Sequence, residues 1–210
     1  MKLLWILQNF VTMHRFWDER YAEEGVYGHE PNPFWADQLS RCTGTHVLLP
    51  CEGEGRNAVW AAKEGWNVEA FDGSGVATAT CLRWAQQAGV QLQATHADAF
   101  QFEGRAEGYD VVGLFYAHMP EPLRKSFHTR AMHWLRPGGT LLLEAFNSGQ
   151  LRRTSGGPRD EKMLFSESLL SEDFIHLHVS LLKSESVELN EGPYHQGPAE
   201  IIRLVAHKPH

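Results

Sequence analysis

The segment LLPCEGEGRNAVWAAKEGWNVEAFD, residues 48–72, restricts the fold more than any other part of the chain. The apolar residues 47–49 predict the end of a buried strand, and Gly53-Glu54-Gly55 predicts a tight turn. Small residues within 58–62 mark one face of the helix that follows. Residues 67–71 alternate as a second strand, which stops at Asp72. Strand, helix and strand in this order form a βαβ unit, so a parallel sheet is predicted.

The same unit predicts a nucleoside-bearing cofactor. Glycine lets a ligand approach the main chain closely, and the start of a helix offers free N–H groups. Asp72 comes 19 residues after Gly53, at the tip of the second strand, where a carboxylate can accept both hydroxyls of a ribose. The predicted cofactor-binding residues of the unit are Gly53, Gly55, Asn57, Asp72, Gly73 and Ser74.

Two cofactors fit this loop. The spacing Gly53-x-Gly55-x-x-Ala58 satisfies the dinucleotide fingerprint, which keeps an NAD-dependent oxidoreductase open as an alternative. S-adenosylmethionine enzymes use the same geometry, with the glycine turn under the methionine part of the cofactor. An oxidoreductase would require a Tyr-x-x-x-Lys pair or an equivalent, and the sequence holds no such pair. A non-catalytic S-adenosylmethionine-binding protein is the alternative from a different class.

Composition narrows the partners. With 42% hydrophobic and 21% charged residues the chain is an ordinary globular protein. A net charge of −7 argues against a broad nucleic-acid-binding face. Three cysteines without a CxxC pair fit a reduced cytoplasm better than a disulfide framework. The apolar start MKLLWILQNFV is too short to span a membrane and lacks a cleavage site, so residues 1–15 are predicted as an N-terminal extension before one domain, residues 16–210.

The remaining pattern predicts a doubly wound α/β fold with a mostly parallel, seven-stranded sheet. Five strand–helix alternations are followed by two long strands, which predict an antiparallel hairpin at the C-terminus. The further predicted elements are a helix over 74–89, strands over 90–98 and 111–115, a helix over 120–135, a strand over 140–146, and the hairpin strands 174–190 and 199–207.

Several motifs in order resemble one family. FWDERYAEEGVYG…PNPF at residues 16–34, EGEGRNAVWAA, FYAHMP, LRPGGTLLLEAF and SGGPRD are similar to blocks of the class I S-adenosylmethionine-dependent methyltransferases. More narrowly, they resemble the thiopurine and tellurite-resistance methyltransferase group. The resemblance runs from about Phe16 to Lys208 and implies a Rossmann-like fold, S-adenosylmethionine as cofactor and a small-molecule methyl acceptor.

The resemblance also implies roles for single residues. Trp17 matches a family tryptophan that packs over the cofactor. Asp98 closes the third predicted strand, where the family places an acid against the adenine amino group, with Ala99 beside it.

The chain departs from the wider class in the glycine loop. Cys51 stands where glycine is usual, and Leu49 stands where an acid is usual. Glu52 is then the nearby candidate for the amino group of the cofactor, and Cys51 is expected to be a small buried residue that lines the site.

Cofactor and acceptor are both expected near the end of the fourth predicted strand. Phe115 and Tyr116 end that strand at the cleft, where an open α/β sheet binds ligands, and they are predicted to bind the cofactor. A soft, ionised sulfur, selenium or tellurium nucleophile would need no strong base; a neutral acceptor would need one, and His118 is the catalytic candidate. The loop 152–162, RRTSGGPRDEK, is expected either to cover the cleft and attract an anionic acceptor or to be a solvated surface loop.

Other histidines carry weaker signals. His176 and His178 share one face of the predicted strand, but no third ligand follows at a useful spacing, so no metal site is predicted. Glu191 and His195 in the last turn either face the mouth of the site or lie on the surface, and the surface is the simpler expectation. The oligomeric state has no signature in the sequence.

Overall fold

The fold was analysed in a computed structural model, which describes residues 14–210. Most of the predicted extension, residues 1–15, therefore lies outside the described residues. His14 and Arg15 belong to a helical segment at 14–20 that also contains Phe16, so the predicted boundary falls inside a helix. The assignment of residues 16–210 to one domain stays a prediction.

One seven-stranded sheet forms the centre of the molecule, with the strand order β3-β2-β1-β4-β5-β7-β6. The five strands β3, β2, β1, β4 and β5 pair in parallel with their neighbours in this order. Strand β7 runs antiparallel to both β5 and β6. This topology confirms the predicted α/β fold and its C-terminal hairpin. The strands are β1 His46–Pro50, β2 Asn67–Asp72, β3 Gln93–His96, β4 Tyr109–Phe115, β5 Leu135–Phe146, β6 His178–Asn190 and β7 Gln196–His207.

Helices and short turns connect the strands. Their order along the chain is α1 at residues 14–20, α2 Pro33–Leu39, α3 Arg56–Lys63, α4 Gly75–Ala88, α5 Glu121–Trp134 and α6 Glu167–Asp173, with 3₁₀ turns at Ser148–Arg152 and Glu161–Met163. Within residues 14–210, no helix is long and apolar enough to cross a bilayer.

Local chemistry explains why helix α4 begins and ends where it does. The Ser74 hydroxyl accepts the Ala77 N–H, which satisfies one of the free donors of the first turn. Gly89 ends the helix in the left-handed conformation, with φ 70°. The helix predicted over 74–89 is therefore confirmed, with Ser74 and Gly89 as its two capping residues.

The central strands are hydrophobic because both faces of the sheet are covered. All seven residues of β4 are buried, and apolar side chains pack on either side of it. One core cluster contains Phe127 and Trp134 of α5, and another contains Trp35 of α2. A fully buried central strand brings its carboxyl end, Phe115, to the edge of the sheet where ligands bind.

Three predicted strands differ in length from the observed ones. Strand β3 covers only four residues, because it is a mostly exposed edge strand and the Asp98 side chain starts a turn by accepting the Phe100 N–H at 2.7 Å. Strand β5 begins at Leu135, which pairs with Tyr109 before the register shifts. Strand β6 begins at His178, after α6 and a turn. His176 therefore precedes the strand, and the expected shared strand face of His176 and His178 was wrong.

Candidate active site

A cavity of about 860 Å³ opens beside the carboxyl ends of β1, β2 and β4. This is the edge where an open α/β sheet binds its ligands. Eleven of the predicted site residues line it: Trp17, Cys51, Glu52, Asn57, Asp72, Gly73, Asp98, Ala99, Phe115, Tyr116 and His118. The other three, Gly53, Gly55 and Ser74, do not line it.

The two loop glycines are required by the packing of the protein itself. Gly53 and Gly55 have φ values of 65° and 91°, which side-chain-bearing residues rarely adopt. A Cβ on Gly53 would lie 2.5 Å from the Tyr21 hydroxyl, and a Cβ on Gly55 would overlap the Cys81 sulfur of α4. The glycine pattern therefore places Tyr21 and α4 tightly against the loop that borders the cavity.

Asp72 is held rigidly at the tip of β2. The Gly53 N–H donates to its Oδ2 at 2.9 Å, and the Ser74 N–H donates to its Oδ1 at 2.8 Å. Burial raises the pKa of the carboxyl group, and the two backbone hydrogen bonds oppose that rise. Each oxygen keeps a further lone pair for a ligand donor. Ser74 is fully buried, and its hydroxyl donates to Asp18 of α1 at 2.6 Å, which satisfies this polar group.

Helix α1 covers one side of the cavity. His14 Nε2 lies 3.3 Å from Asp98 Oδ2, and Trp17 stacks on Tyr21 with ring centroids 5.8 Å apart. Trp17 and Asp98 both line the cavity, on α1 and after β3 respectively. The helix thus brings aromatic surface against the end of the sheet that carries the acids.

Glu52 caps helix α3. Its Oε1 accepts the N–H groups of Asn57 and Ala58, both at 2.8 Å. Gly55 occupies the N-cap position of the helix and offers no side chain for this purpose. Burial raises the pKa of Glu52 to about 7, and the two amide hydrogen bonds oppose the rise. Sequence reasoning gave Glu52 only a ligand role and missed this structural one.

The raised pKa of Glu52 predicts a pH-dependent stability. Between about pH 4.5 and 7 the folded protein keeps a proton that the unfolded chain has lost, so the contribution of Glu52 falls as the pH rises and is lowest above pH 7. Glu52→Gln keeps an oxygen for both amides and does not titrate. Its free energy of unfolding relative to wild type should increase by on the order of 1–2 kcal/mol from pH 5 to pH 8 in urea titrations. A difference that does not change with pH would contradict this pKa.

The thiol of Cys51 is not activated. Burial, with smaller contributions from Asp72 and Asp98, holds its pKa well above the ordinary value, so the sulfur stays protonated at neutral pH. Cys51 has φ 55° and lines the cavity as a small, weakly polar residue. This position agrees with the expected lining role.

His118 has both ring nitrogens engaged with the main chain. Nδ1 donates to the Met163 carbonyl at 2.7 Å, and Nε2 accepts the Phe146 N–H at 3.2 Å. Burial lowers the pKa of His118 to about 4, so the ring is neutral. The role of His118 as a general base stays a prediction, but the geometry weighs against it because the lone pair is already used. In this position His118 joins the end of β5 to the loop before α6.

Tyr116 is fixed by a buried carboxylate on β5. Its hydroxyl donates to Glu144 Oε1 at 3.0 Å, and the same carboxylate accepts Asn32 Nδ2 at 2.5 Å and Arg203 Nε at 2.6 Å. Burial and the charge of Glu144 raise the pKa of Tyr116 well above its ordinary value. The Tyr116 hydroxyl is therefore neutral, and its bond to Glu144 holds the ring in one orientation at the cavity.

The last turn of the chain folds onto the cavity, which corrects the expectation of a surface position. His195 is only 5% exposed and lines the cavity, and its Nδ1 lies 3.3 Å from Glu191 Oε2. Arg56 also lines the cavity and pairs with Glu191 at 2.9 Å. The close approach of Gly192 to Gly28 permits this packing, since a Cβ on Gly192 would lie 2.5 Å from the Gly28 nitrogen. Glycines in EGPYHQG and GVYG are the sequence signal that was missed.

The loop 152–162 borders the cavity through its second half. Gly157, Pro158, Asp160 and Lys162 line the cavity, whereas its first two arginines do not. Arg153 is turned away and donates to Glu200 at 2.5 and 3.2 Å. Of the positive side chains of this loop, only Lys162 reaches the cavity. Of the two expectations for this loop, the structure therefore favours a partial cover of the cavity, with Lys162 rather than Arg152 or Arg153 as the residue that can attract an anionic acceptor.

Comparisons with known proteins agree with this geometry. Residues 47–139 match the family model described as "Methyltransferase domain". A sequence comparison with curated proteins found no significant match.

Solved structures share the fold at low sequence identity. One comes from work on the conversion of a disulfide bond into a thioacetal group during echinomycin biosynthesis; it is 16% identical with a TM-score of 0.77, over 94% of this chain and 92% of that chain. TehB from Haemophilus influenzae is 16% identical with a TM-score of 0.68, over 93% and 66%. The N-methyltransferase NodS from Bradyrhizobium japonicum, in complex with S-adenosyl-L-homocysteine, is 13% identical with a TM-score of 0.70, over 94% and 98%.

The domain match covers the β1–α3–β2 unit, with its turn between β1 and α3, and the sheet as far as the start of β5. The remaining strands complete the strand order of the same fold. Residues 47–139 are accordingly a methyltransferase domain, the chain as a whole has the fold of the class I S-adenosylmethionine-dependent methyltransferases, and S-adenosylmethionine is its cofactor.

Proposed function

We propose that the enzyme transfers a methyl group from S-adenosylmethionine to a small molecule through a soft sulfur, selenium or tellurium nucleophile. One observation carries the proposal. A single cavity joins the acids at the ends of β2 and β3, Asp72 and Asp98, to a second wall of aromatic and basic side chains. Tyr27, Tyr116, His195 and Lys162 belong to that wall. Cofactor and acceptor can therefore meet in one enclosed space.

The residues present fit the cofactor. Asp72 has free lone pairs for the ribose hydroxyls, Asp98 lines the same cavity and is proposed to accept the adenine amino group, and Trp17 is proposed to cover the cofactor from α1. Glu52 is an acid near the glycine turn for the ammonium group. The proposed cofactor-binding set is Trp17, Cys51, Glu52, Gly53, Gly55, Asn57, Asp72, Gly73, Ser74, Asp98, Ala99, Phe115 and Tyr116, in which Gly53, Gly55 and Ser74 act by shaping the loops.

Methyl transfer is an in-line displacement at the sulfonium methyl group. The protein has to align the nucleophile with the methyl carbon and exclude water, which can supply up to roughly 10 kcal/mol. The aromatic rings of Phe115, Tyr116 and Phe146 enclose the cavity and serve both purposes. A thiolate or chalcogen oxyanion attacks with its own lone pair, so the step needs no strong base when the acceptor is already ionised.

Two features support a soft acceptor. The sequence blocks resemble the thiopurine and tellurite-resistance group, and one structural neighbour was solved in work on a reaction at sulfur.

A panel of acceptors tests the proposed function. Purified enzyme with S-adenosylmethionine is incubated with alkyl and aryl thiols, selenite, tellurite, halides and a phenol, and the release of S-adenosylhomocysteine is measured. We expect acceptor-dependent release with thiols or chalcogen oxyanions. Turnover with the phenol alone, or no turnover with any acceptor, would contradict the proposal.

Lys162 is expected to attract an anionic acceptor. Its exposed ammonium group borders the cavity, so Lys162→Ala should raise the KM for an anionic acceptor about 2- to 5-fold with little change in cofactor affinity. The effect should shrink with added salt, because exposed charges are screened over about 8 Å in physiological salt. Arg153→Ala is the matched control: each side chain pairs with a glutamate, Lys162 with Glu121 and Arg153 with Glu200, but Lys162 lines the cavity and Arg153 does not. Equal effects of the two substitutions would contradict the assignment.

We also propose that the enzyme works in the cytoplasm. Cys42, Cys51 and Cys81 are all free thiols, as expected in a reducing compartment. Fractionation of the native host with antibody detection tests this proposal, and recovery from an oxidising compartment would contradict it.

A further inference from the structure

His195 lies in an aromatic enclosure at the acceptor end of the cavity. Its ring centroid is 4.6 Å from that of Tyr27, 4.4 Å from Tyr116 and 5.3 Å from Phe146. The side chain comes from the turn between β6 and β7 and lines the same cavity as Asp72. A titratable nitrogen is thus enclosed where the acceptor would lie.

The hydrogen bond to Glu191 fixes which nitrogen carries the proton. Burial alone would raise the pKa of Glu191, but the hydrogen bond to His195 and the charge of Arg56 lower it to about 2. The carboxylate is therefore ionised and accepts the Nδ1–H, 3.3 Å away. In a neutral ring with Nδ1 protonated, the lone pair is on Nε2.

The Nε2 atom of the ring is not used in the hydrogen bonding of the described residues, 14–210, and the atom is not fully enclosed. Gly156 lies against this edge, and a Cβ there would be 3.3 Å from Nε2 and 2.8 Å from Cδ2. His118, which lines the same cavity, has no such free edge because both its nitrogens bond the main chain.

We propose that His195 is the general base of the reaction, with Glu191 as its positioning residue, and that the enzyme accepts substrates whose attacking atom carries a proton, such as a neutral thiol. This inference rests on the proposed methyl transfer. The acceptor X–H bond breaks, its proton passes to Nε2, and the X–CH₃ bond forms as the sulfonium S–CH₃ bond breaks. The products are methylated acceptor, S-adenosylhomocysteine and a proton, which leaves from the imidazolium.

Charged groups from several elements face this ring and define its pH response. Burial lowers the pKa of His195, Glu191 opposes that shift, and Arg56 of α3 and Arg20 of α1 add to it. Tyr27 and Tyr116 contribute neutral rings, and His118 lies farther along the wall. The base form is thus present at neutral pH. Activity with a protonated acceptor should fall as the pH drops through the pKa of His195.

The test compares His195→Gln with wild type on two acceptors. One is an alkyl thiol, protonated at pH 7; the other is an aryl thiol whose electron-withdrawing substituents keep it ionised at pH 7. We expect kcat with the alkyl thiol to fall roughly 100-fold or more, the effect of a lost general base, and kcat with the ionised thiol to change less than about 3-fold. Raising the pH to 9–10 should restore much of the rate with the alkyl thiol, since that thiol then ionises by itself.

Two further variants keep the outcome decisive. His118→Gln alters the other histidine that lines the cavity, and any decrease in kcat should be the same factor for both thiols. Glu191→Gln should move the acid limb of the pH–rate profile with the alkyl thiol to lower pH, because the carboxylate that raises the pKa of His195 has been removed. A merely structural effect of Glu191 would lower the rate without moving that limb. Melting temperature and S-adenosylmethionine affinity report whether each variant is folded.

The possible results separate the two proposals. If wild type methylates both thiols and folded His195→Gln loses the same factor with each, the general-base assignment is overturned while the proposed function stands. If wild type methylates only the ionised thiol, the assignment also fails. If wild type binds S-adenosylmethionine but methylates no acceptor, the proposed function fails, and the inference with it.

Discussion

Replacing Asp72 by alanine is expected to weaken S-adenosylmethionine binding by roughly 1.5–3 kcal/mol, which is about 10- to 150-fold in Kd. The substitution removes the carboxylate that we assign to the ribose hydroxyls. Asp72 also accepts the Gly53 and Ser74 N–H groups, so the variant should lose stability as well, by roughly 1–3 kcal/mol. Calorimetric titration with S-adenosylmethionine measures the first effect, and urea unfolding measures the second.

Asp37→Ala provides the control for this prediction. Asp37 is an exposed acid on α2 that pairs with Arg41, away from the cavity, so its loss should leave the Kd unchanged. A folded Asp72→Ala protein that binds S-adenosylmethionine as tightly as wild type would contradict the assignment of Asp72 to the ribose of the cofactor.

The second large effect is expected at the glycine turn. Gly55→Ala should lower the free energy of unfolding by roughly 2–5 kcal/mol, because it adds left-handed backbone strain to an overlap with Cys81. Gly65→Ala is a closely matched control: its φ is 90° against 91° for Gly55, and a Cβ there would meet nothing within 4 Å. The difference between the two variants in denaturant unfolding measures the packing contribution by itself.

A double substitution tests the cause. Cys81→Ala removes the sulfur that a Cβ on Gly55 would overlap, so it should recover part of the stability lost in Gly55→Ala. Equal stabilities of the Gly55→Ala and Gly65→Ala proteins would show that the loop does not pack against α4 as described.

The part of the fold that depends on local chemistry was predictable from the sequence. The turn at Gly53–Gly55, the helix capped by Ser74 and Gly89, and the acid at the tip of β2 follow from neighbouring residues and reappear in the structure. The strand ends were less predictable. Strand β5 extends to Leu135 because that residue pairs with Tyr109, a contact between two distant segments.

The acceptor side of the cavity depends on long-range contacts, which the sequence did not reveal. His195 is buried because the last turn packs on the loop at Gly28, and His118 has no free nitrogen because Met163 and Phe146 approach it from two segments. Arg153 belongs to the loop that was expected to cover the cleft or to lie in solvent, and it bonds to Glu200 of β7. Spacing along the chain carries no information about such pairings. The folded structure is needed to see that His118 has both ring nitrogens bonded, whereas His195 has one unbonded.

A crystal structure of the enzyme with S-adenosylhomocysteine and an alkyl thiol tests the central claim most directly, namely that one cavity holds cofactor and acceptor together. We predict that the ribose hydroxyls lie within hydrogen-bond distance of Asp72 and the adenine amino group near Asp98. The homocysteine sulfur should face the thiol, which should lie beside Tyr116 and within reach of His195 Nε2. A nucleoside bound away from Asp72, or a cofactor sulfur that points away from the His195 wall, would contradict the account.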